Sequence, residues 1–262
     1  HKFRVATRRL RAALRAFRPV FGRDALHPTN DAARAVARST NAARDLDVFL
    51  EGLDKAEFTD RVPALVAGVR RARAVAIRET LDVLDGDAYA AFRSVTESLL
   101  AATHPRAGTV AGRKARRKAG AAAAAMVRQR MGRVLAYVGV LSPDDDAGLH
   151  DLRIAIKQLR YVLEFFAEAL PDAARDVIED MKSVQDSLGD INDCAVQRDY
   201  IVDAAAALES EGDVSDVEKV STELLIARTE LRRERCLRSF AAEWDRFTAP
   251  KHQRLLARQL NL

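Results

Sequence analysis

Apolar residues recur at three- and four-residue spacing along almost the whole chain, and no segment alternates apolar with polar over a strand's length. That period predicts helices throughout. The first is expected from Lys2 to Arg18, stopped by Pro19, with Leu10, Leu14, Phe17 and Phe21 as its apolar stripe. A second starts near Pro28 to Asp31, with Thr29 and Asn30 as cap candidates, and runs toward Leu53. A third runs from a cap at Asp60, with Pro63 in its first turn, to Leu84. The Asp85-Gly86-Asp87 triplet separates it from a fourth, Ala88 to Ala102. After the loop around His104 and Pro105 comes a very basic fifth, Val110 to Leu141. The turn-rich Ser142 to Gly148 stretch follows. Beyond it the pattern predicts helices at about 149–169, 172–187, 190–208 and 214–240 and a short piece after Pro250, with breaks at Pro171 and Gly189. In the first of these, Leu152, Ile156, Leu159, Leu163 and Phe166 form the core stripe. Many helices with short connections imply an all-α fold of packed antiparallel bundles.

Composition narrows the class. With 48% apolar and 31% charged residues the chain is expected to fold around a core, and 12 Gly with 7 Pro are too few for many tight β-turns. No apolar run approaches the roughly 18 residues of a membrane span. Two cysteines, Cys194 and Cys236, imply no disulfide framework and fit a reducing cytoplasm.

The net charge of +5 hides an asymmetry. Residues 1–141 hold 27 basic and 13 acidic groups, and residues 142–262 hold 16 and 25. Of the 43 basic residues 35 are Arg, the side chain whose planar fork pairs bidentately with phosphate or carboxylate.

An internal repeat organises these charges. His1-Lys2-Phe3-Arg4-Val5-Ala6-Thr7-Arg8-Arg9-Leu10-Arg11 overlays His150-Asp151-Leu152-Arg153-Ile154-Ala155-Ile156-Lys157-Gln158-Leu159-Arg160 at an offset of 149. Arg44-Asp45-Leu46-Asp47-Val48 overlays Asn192-Asp193-Cys194-Ala195-Val196 at an offset of 148, and Arg34 meets Lys182 at that same offset. A period this long means duplication of a bundle. The expected division is a first repeat over 1–141, a linker over 142–149 and a second repeat over 150–262.

Each copy carries a polar stripe beside its core. His1, Arg4, Arg8, Arg11, Arg15 and Arg18 fall on one helix face, as do His150, Arg153, Lys157 and Arg160. Like charges at this spacing repel by a few tenths of a kcal/mol per pair, so a long cationic row weakens folding unless an anion occupies it. The competing account is a plain solvated face.

The twice-repeated H-x-x-R-V/I-A-x-R/K-x-L-R pattern, each followed some 40 residues later by R/N-D-x-x-V, resembles the CHAD domain, the conserved histidine α-helical domain family. The likeness spans both copies. It implies two four-helix bundles related by a pseudo-twofold axis, with a basic surface and central cavity that bind inorganic polyphosphate. The family's basic positions carry over to His1, Arg4, Arg8, Arg11, His150, Arg153, Lys157 and Arg160. On the next helix Arg34, Arg38 and Lys182 look like further family positions, and Arg15 extends the first stripe. Two departures stand out: the first copy starts at its histidine, and the second repeat is net acidic, which shifts binding toward the first. A polyphosphate chain offers charge and no bases to read, so Arg forks meet its needs, and binding is expected to weaken steeply with salt. His1 and His150 would take up protons on binding, favouring pH 6 over pH 8.

Other readings remain open at this point. An enzyme would use the histidines as phosphoryl carriers or as metal ligands with Asp45 and Asp193. Arg three residues after each His repels a cation, and no nucleophile motif or phosphate-cradling Gly loop is present. No catalytic residue, metal or cofactor is therefore expected, and Asp45 and Asp193 read as orienting partners for the Arg rows or as helix caps. A nucleic-acid binder would use Arg113-Lys114-Ala115-Arg116-Arg117-Lys118, yet only 6% of residues are aromatic and none interleaves the basic runs. His27 and His104 read as surface residues, and His252, in a basic tail, is assigned no role. The expectation is a cytoplasmic, non-catalytic polyphosphate binder, at polyphosphate granules or beside a partner enzyme of polyphosphate metabolism.

Overall fold

The computed structural model describes residues 2–101, 119–171, 174–211 and 214–259. Among them the chain is helical, with no strand: α1 (Lys2–Phe21), α2 (Arg23–Lys55), α3 (Pro63–Asp85), α4 (Asp87–Ala101), α5 (Ala119–Leu135), α6 (Asp146–Phe165), a 3-10 turn (Ala167–Ala169), α7 (Ala174–Glu211), α8 (Asp216–Thr248) and α9 (Pro250–Gln259). His1, His104 and the Arg113 to Lys118 cluster lie outside the described residues.

Several helix ends differ from the sequence expectation, for local reasons. α1 continues past Pro19 to Phe21 and is stopped by Gly22, whose φ of 85° few other residues adopt. Phe21, expected in the core, stands 44% exposed at this end. α2 begins at Arg23, so Pro28 lies inside it and forfeits a single ladder bond close to the N-terminus, where the loss is smallest. Thr29 does not cap. It is buried and donates its hydroxyl to the Val95 carbonyl at 3.2 Å. α5 ends at Leu135, six residues early, in turns around Gly139 with φ 77°. Gly189 does not break the chain: α7 runs through it unbroken, flanked by Leu188 and Ile191, both buried. A helical glycine costs about 1 kcal/mol relative to alanine, less than two such side chains gain by burial.

The cap of α3 comes from far along the sequence. Asp60 does not serve; the N-cap residue is Val62, which has no capping side chain. Instead the Glu218 carboxylate, buried on α8, accepts from the backbone N–H of Ala64 at 2.7 Å and of Leu65 at 3.2 Å. α6 is capped locally, Asp145 accepting from the Gly148 N–H at 2.8 Å.

The chain divides into two compact units, one of residues 1–106 with 196–230, the other of 107–195 with 231–262. This partition differs from the sequence repeats. α7 and α8 each begin in one unit and end in the other. In the first unit α2 packs on α1, α3 and α4. Phe49 and Leu53 of α2 meet Leu65, Val66 and Val69 of α3, Ile201 of α7 and Leu225 of α8 in one cluster. The second unit buries Leu152, Ile156, Leu159 and Leu163 of α6, the stripe expected from periodicity, together with Val184 and Leu188 of α7 and Trp244 and Phe247 of α8.

Candidate functional site

α1 and α2 form a helical hairpin, and the arginine stripe of α1 meets charged positions of α2 in three successive zones. At the first, Arg4 is half-buried and donates from Nη1 to the Thr40 carbonyl at 3.3 Å. Burial holds its guanidinium below the usual arginine range; Asp45 pulls it up, Arg8 and Arg44 push it down, and Asp47 raises it. Much of that acid is already engaged, since Asp47 accepts from Arg73 Nε. Arg44 pairs with Glu51 at 3.2 Å.

Arg11 occupies the middle zone. It too is half-buried, and its Nε is shielded from solvent without a hydrogen-bond partner. Burial lowers its proton affinity first, then Arg15, Arg34 and Arg38, with Asp31 opposing them. Four guanidinium groups from two helices thus converge around one carboxylate. That carboxylate is itself occupied: His27 Nδ1 lies 3.1 Å from Asp31 Oδ2, and Asn30 donates to Asp31 Oδ1 at 3.3 Å. Arg8, Arg34 and Arg38 are exposed and make no ion pair among the described residues.

The third zone is a groove at the corner between the two helices, about 370 Å³, lined by Arg15, Arg18, Arg23, His27, Asn30 and Asp31 over Leu14 and Leu26. Arg23 and His27 were not singled out by the sequence. Once α2 is extended back to Arg23, they fall on the face of Asp31, Arg34 and Arg38, at spacings of four and three. The misplaced helix start concealed them.

The second copy of the motif lies in the other unit. His150 is exposed, with Nδ1 3.2 Å from Asn192 Oδ1. Asn192 in turn donates to Asp193 Oδ1 at 3.4 Å. Arg153 and Lys157 are half-buried. Arg160 pairs with Glu164 at 3.3 Å and lies 5.6 Å from the Tyr161 ring centre. Lys182 is exposed, 3.9 Å from Glu179. The repeat offsets explain the contrast. Where the first copy has Arg11, Arg15, Asp31, Arg34 and Arg38, the second has Arg160, Glu164, Glu179, Lys182 and Asp186. Two cations have become carboxylates and the cluster neutralises itself.

No described helix is long and apolar enough to cross a membrane.

Similarity to known proteins agrees with this geometry. The family model described as the CHAD domain matches residues 1–202, a stretch that includes both copies of the histidine motif. Two curated Mycobacterium tuberculosis proteins, both uncharacterized, are 29% identical over 223 residues. The match takes in 81% of this chain and 42% of theirs, so the chain spans less than half the length of these relatives. Among solved structures, PptA from Streptomyces chartreusis aligns with a TM-score of 0.67 at 17% identity, covering 92% of this chain and 87% of its own. The CHAD domain from the plant Ricinus communis aligns at 0.62 and 22% identity, covering 92% and 78%. Its duplicated histidine-arginine helices, its all-helical fold and the family match together place this chain in the CHAD family.

Proposed function

We propose that this domain binds inorganic polyphosphate without transforming it, and that the α1–α2 face of the first unit is its main contact. One observation carries the reading: Arg11, half-buried with an unsatisfied Nε, stands among Arg15, Arg34 and Arg38 while the opposing Asp31 is taken by His27 and Asn30. A row of cations that repel one another is costly for folding and favourable only when an extended anion threads it. Polyphosphate supplies about one negative charge per phosphate at a spacing that successive guanidinium forks can follow. Arg4 and Arg8 extend the row at one end, and the Arg15–Arg18–Arg23 groove extends it at the other.

In this reading His150, Arg153, Lys157, Arg160 and Lys182 contribute less, because Glu164 and Glu179 already hold two of them. The protein acts by holding the chain, at a granule or beside an enzyme of polyphosphate metabolism, and needs no metal or cofactor of its own.

Titration with polyphosphates of several lengths, on wild type and on an Arg11→Glu/Arg34→Glu variant checked for helicity, tests the reading. Affinity should rise with chain length, fall steeply with salt and drop at least tenfold in the variant. Displacement by duplex DNA or RNA of equal charge as effective as by polyphosphate would overturn the specific claim.

A further inference from the structure

A second cationic groove lies wholly within the other unit, away from either histidine motif in sequence. It occupies about 460 Å³ where the end of α8 meets α9 and is lined by Arg246, Lys251, His252, Arg254 and Arg258, with Ala249 and Leu255 between their stems. Among the described residues no carboxylate lines it. At its edge Asp180 Oδ2 lies 3.5 Å from His252 Nε2. Arg246 donates to a neutral group, Ser183 Oγ, at 3.3 Å. Lys251, Arg254 and Arg258 make no ion pair among the described residues.

Two further features separate this groove from an ordinary basic surface. Lys251 and His252 sit in the first turn of α9, which has no acidic residue. Cations there oppose the positive end of the helix dipole, an arrangement that an anion relieves. The short helix is also fixed in place. Leu256 is fully buried, Gln253 donates to the Phe247 carbonyl, and the His252 ring packs 6.0 Å from that of Phe247. The backbone positions that carry the cations are therefore fixed around the groove.

We infer that this α8–α9 groove is a separate binding site for a short phosphate chain, as an inorganic oligophosphate or as the phosphates of a nucleotide. Four permanent cations and one histidine match the charge of three or four linked phosphates. The volume is that of a small-ligand pocket and is too small for a folded polyanion. The inference does not depend on the α1–α2 reading, because the two sites share no residue.

The test is calorimetric titration of the whole chain with tripolyphosphate and, separately, with ATP at fixed ionic strength. Wild type is compared with Arg254→Glu/Arg258→Glu and with Arg11→Glu/Arg34→Glu. The first pair is exposed, so its helical content should match wild type. The expected result is at least a tenfold loss of tripolyphosphate binding at one site in the α9 variant, with that site intact in the α1–α2 variant. Equal affinity for the two ligands assigns recognition to the phosphates alone, and tighter ATP binding assigns a nucleotide. Hydrogen exchange on wild type should show tripolyphosphate protecting residues 250–259. Wild-type binding retained in the α9 variant, or no protection of that segment, would overturn the proposal.

Discussion

Replacing Arg11 with methionine removes one guanidinium while keeping most of its aliphatic packing, and it should move stability and binding in opposite directions. Arg11 faces Arg8 and Arg15 on its own helix and Arg34 and Arg38 on the next. At a few tenths of a kcal/mol for each like-charge pair, relief of four pairs is worth about 1–2 kcal/mol. Removing a buried Nε that has no partner adds about 1 kcal/mol, and imperfect fit of the new side chain subtracts up to about 1.5 kcal/mol. The net expectation is a gain of roughly 0.5–3 kcal/mol, or a Tm higher by about 1–12 °C at low salt. The gain should shrink as salt screens the repulsion in wild type. Polyphosphate affinity should meanwhile fall about 10- to 150-fold, the value of one charge-assisted contact of about 1.5–3 kcal/mol. Thermal melts at two ionic strengths and a fluorescence-anisotropy titration measure both quantities. A variant that is less stable by more than about 1 kcal/mol and binds polyphosphate as wild type does would refute the argument, because Arg11 would then be a structural residue.

Other consequences are open to direct measurement. Glu218→Ala leaves the Ala64 and Leu65 N–H groups buried without an acceptor and should cost about 2–4 kcal/mol in denaturant unfolding, whereas Glu218→Gln keeps an acceptor and should cost about 1 kcal/mol; equal costs would show that the side-chain acceptor does not carry the cap. Burial raises the Cys194 thiol to about 11, so it stays protonated at pH 8 and its reaction with iodoacetamide should run at least tenfold slower than in the unfolded chain, quickening as pH rises toward that value. Rapid native labelling of Cys194 would contradict its burial. Glu164→Arg with Asp186→Arg restores in the second unit the cations that the first carries at Arg15 and Arg38, and should tighten polyphosphate binding several-fold with a steeper salt slope; an unchanged affinity would mean that the second motif does not touch the ligand.

Sequence periodicity was enough to reveal the helices, because each buries one stripe and that stripe repeats at 3.6 residues. The α6 core residues all lie buried as expected, and the duplicated rows could be read from spacing alone. What escaped was decided by contacts distant in sequence. Thr29 resembles a cap in isolation but becomes an interior residue once Val95 offers a carbonyl. Gly189 is a plausible break until Leu188 and Ile191 are seen to be buried on either side of it. Glu218 caps α3 from 154 residues away, a pairing no local pattern announces. For the site, the Arg11, Arg15, Arg34 and Arg38 convergence follows from pairing two helices whose stripes were legible. Arg23 and His27 were hidden because the second helix was expected to start near Pro28, whereas it begins at Arg23 and carries that proline inside it.

The interleaving of α7 and α8 between the two units has a consequence for synthesis on the ribosome. The first unit lacks part of its own core until Ile201 and Leu225 have been translated. At about 5–20 residues per second, the 89 residues from 107 to 195 impose a wait of roughly 5–18 s. During that interval Phe49, Leu53, Val66 and Val69 have one another but lack the cover that Ile201 and Leu225 will bring. Residues 107–195 emerge inside the same window, ahead of the segments that complete the earlier unit, so neither half of this protein can mature as an autonomous cassette.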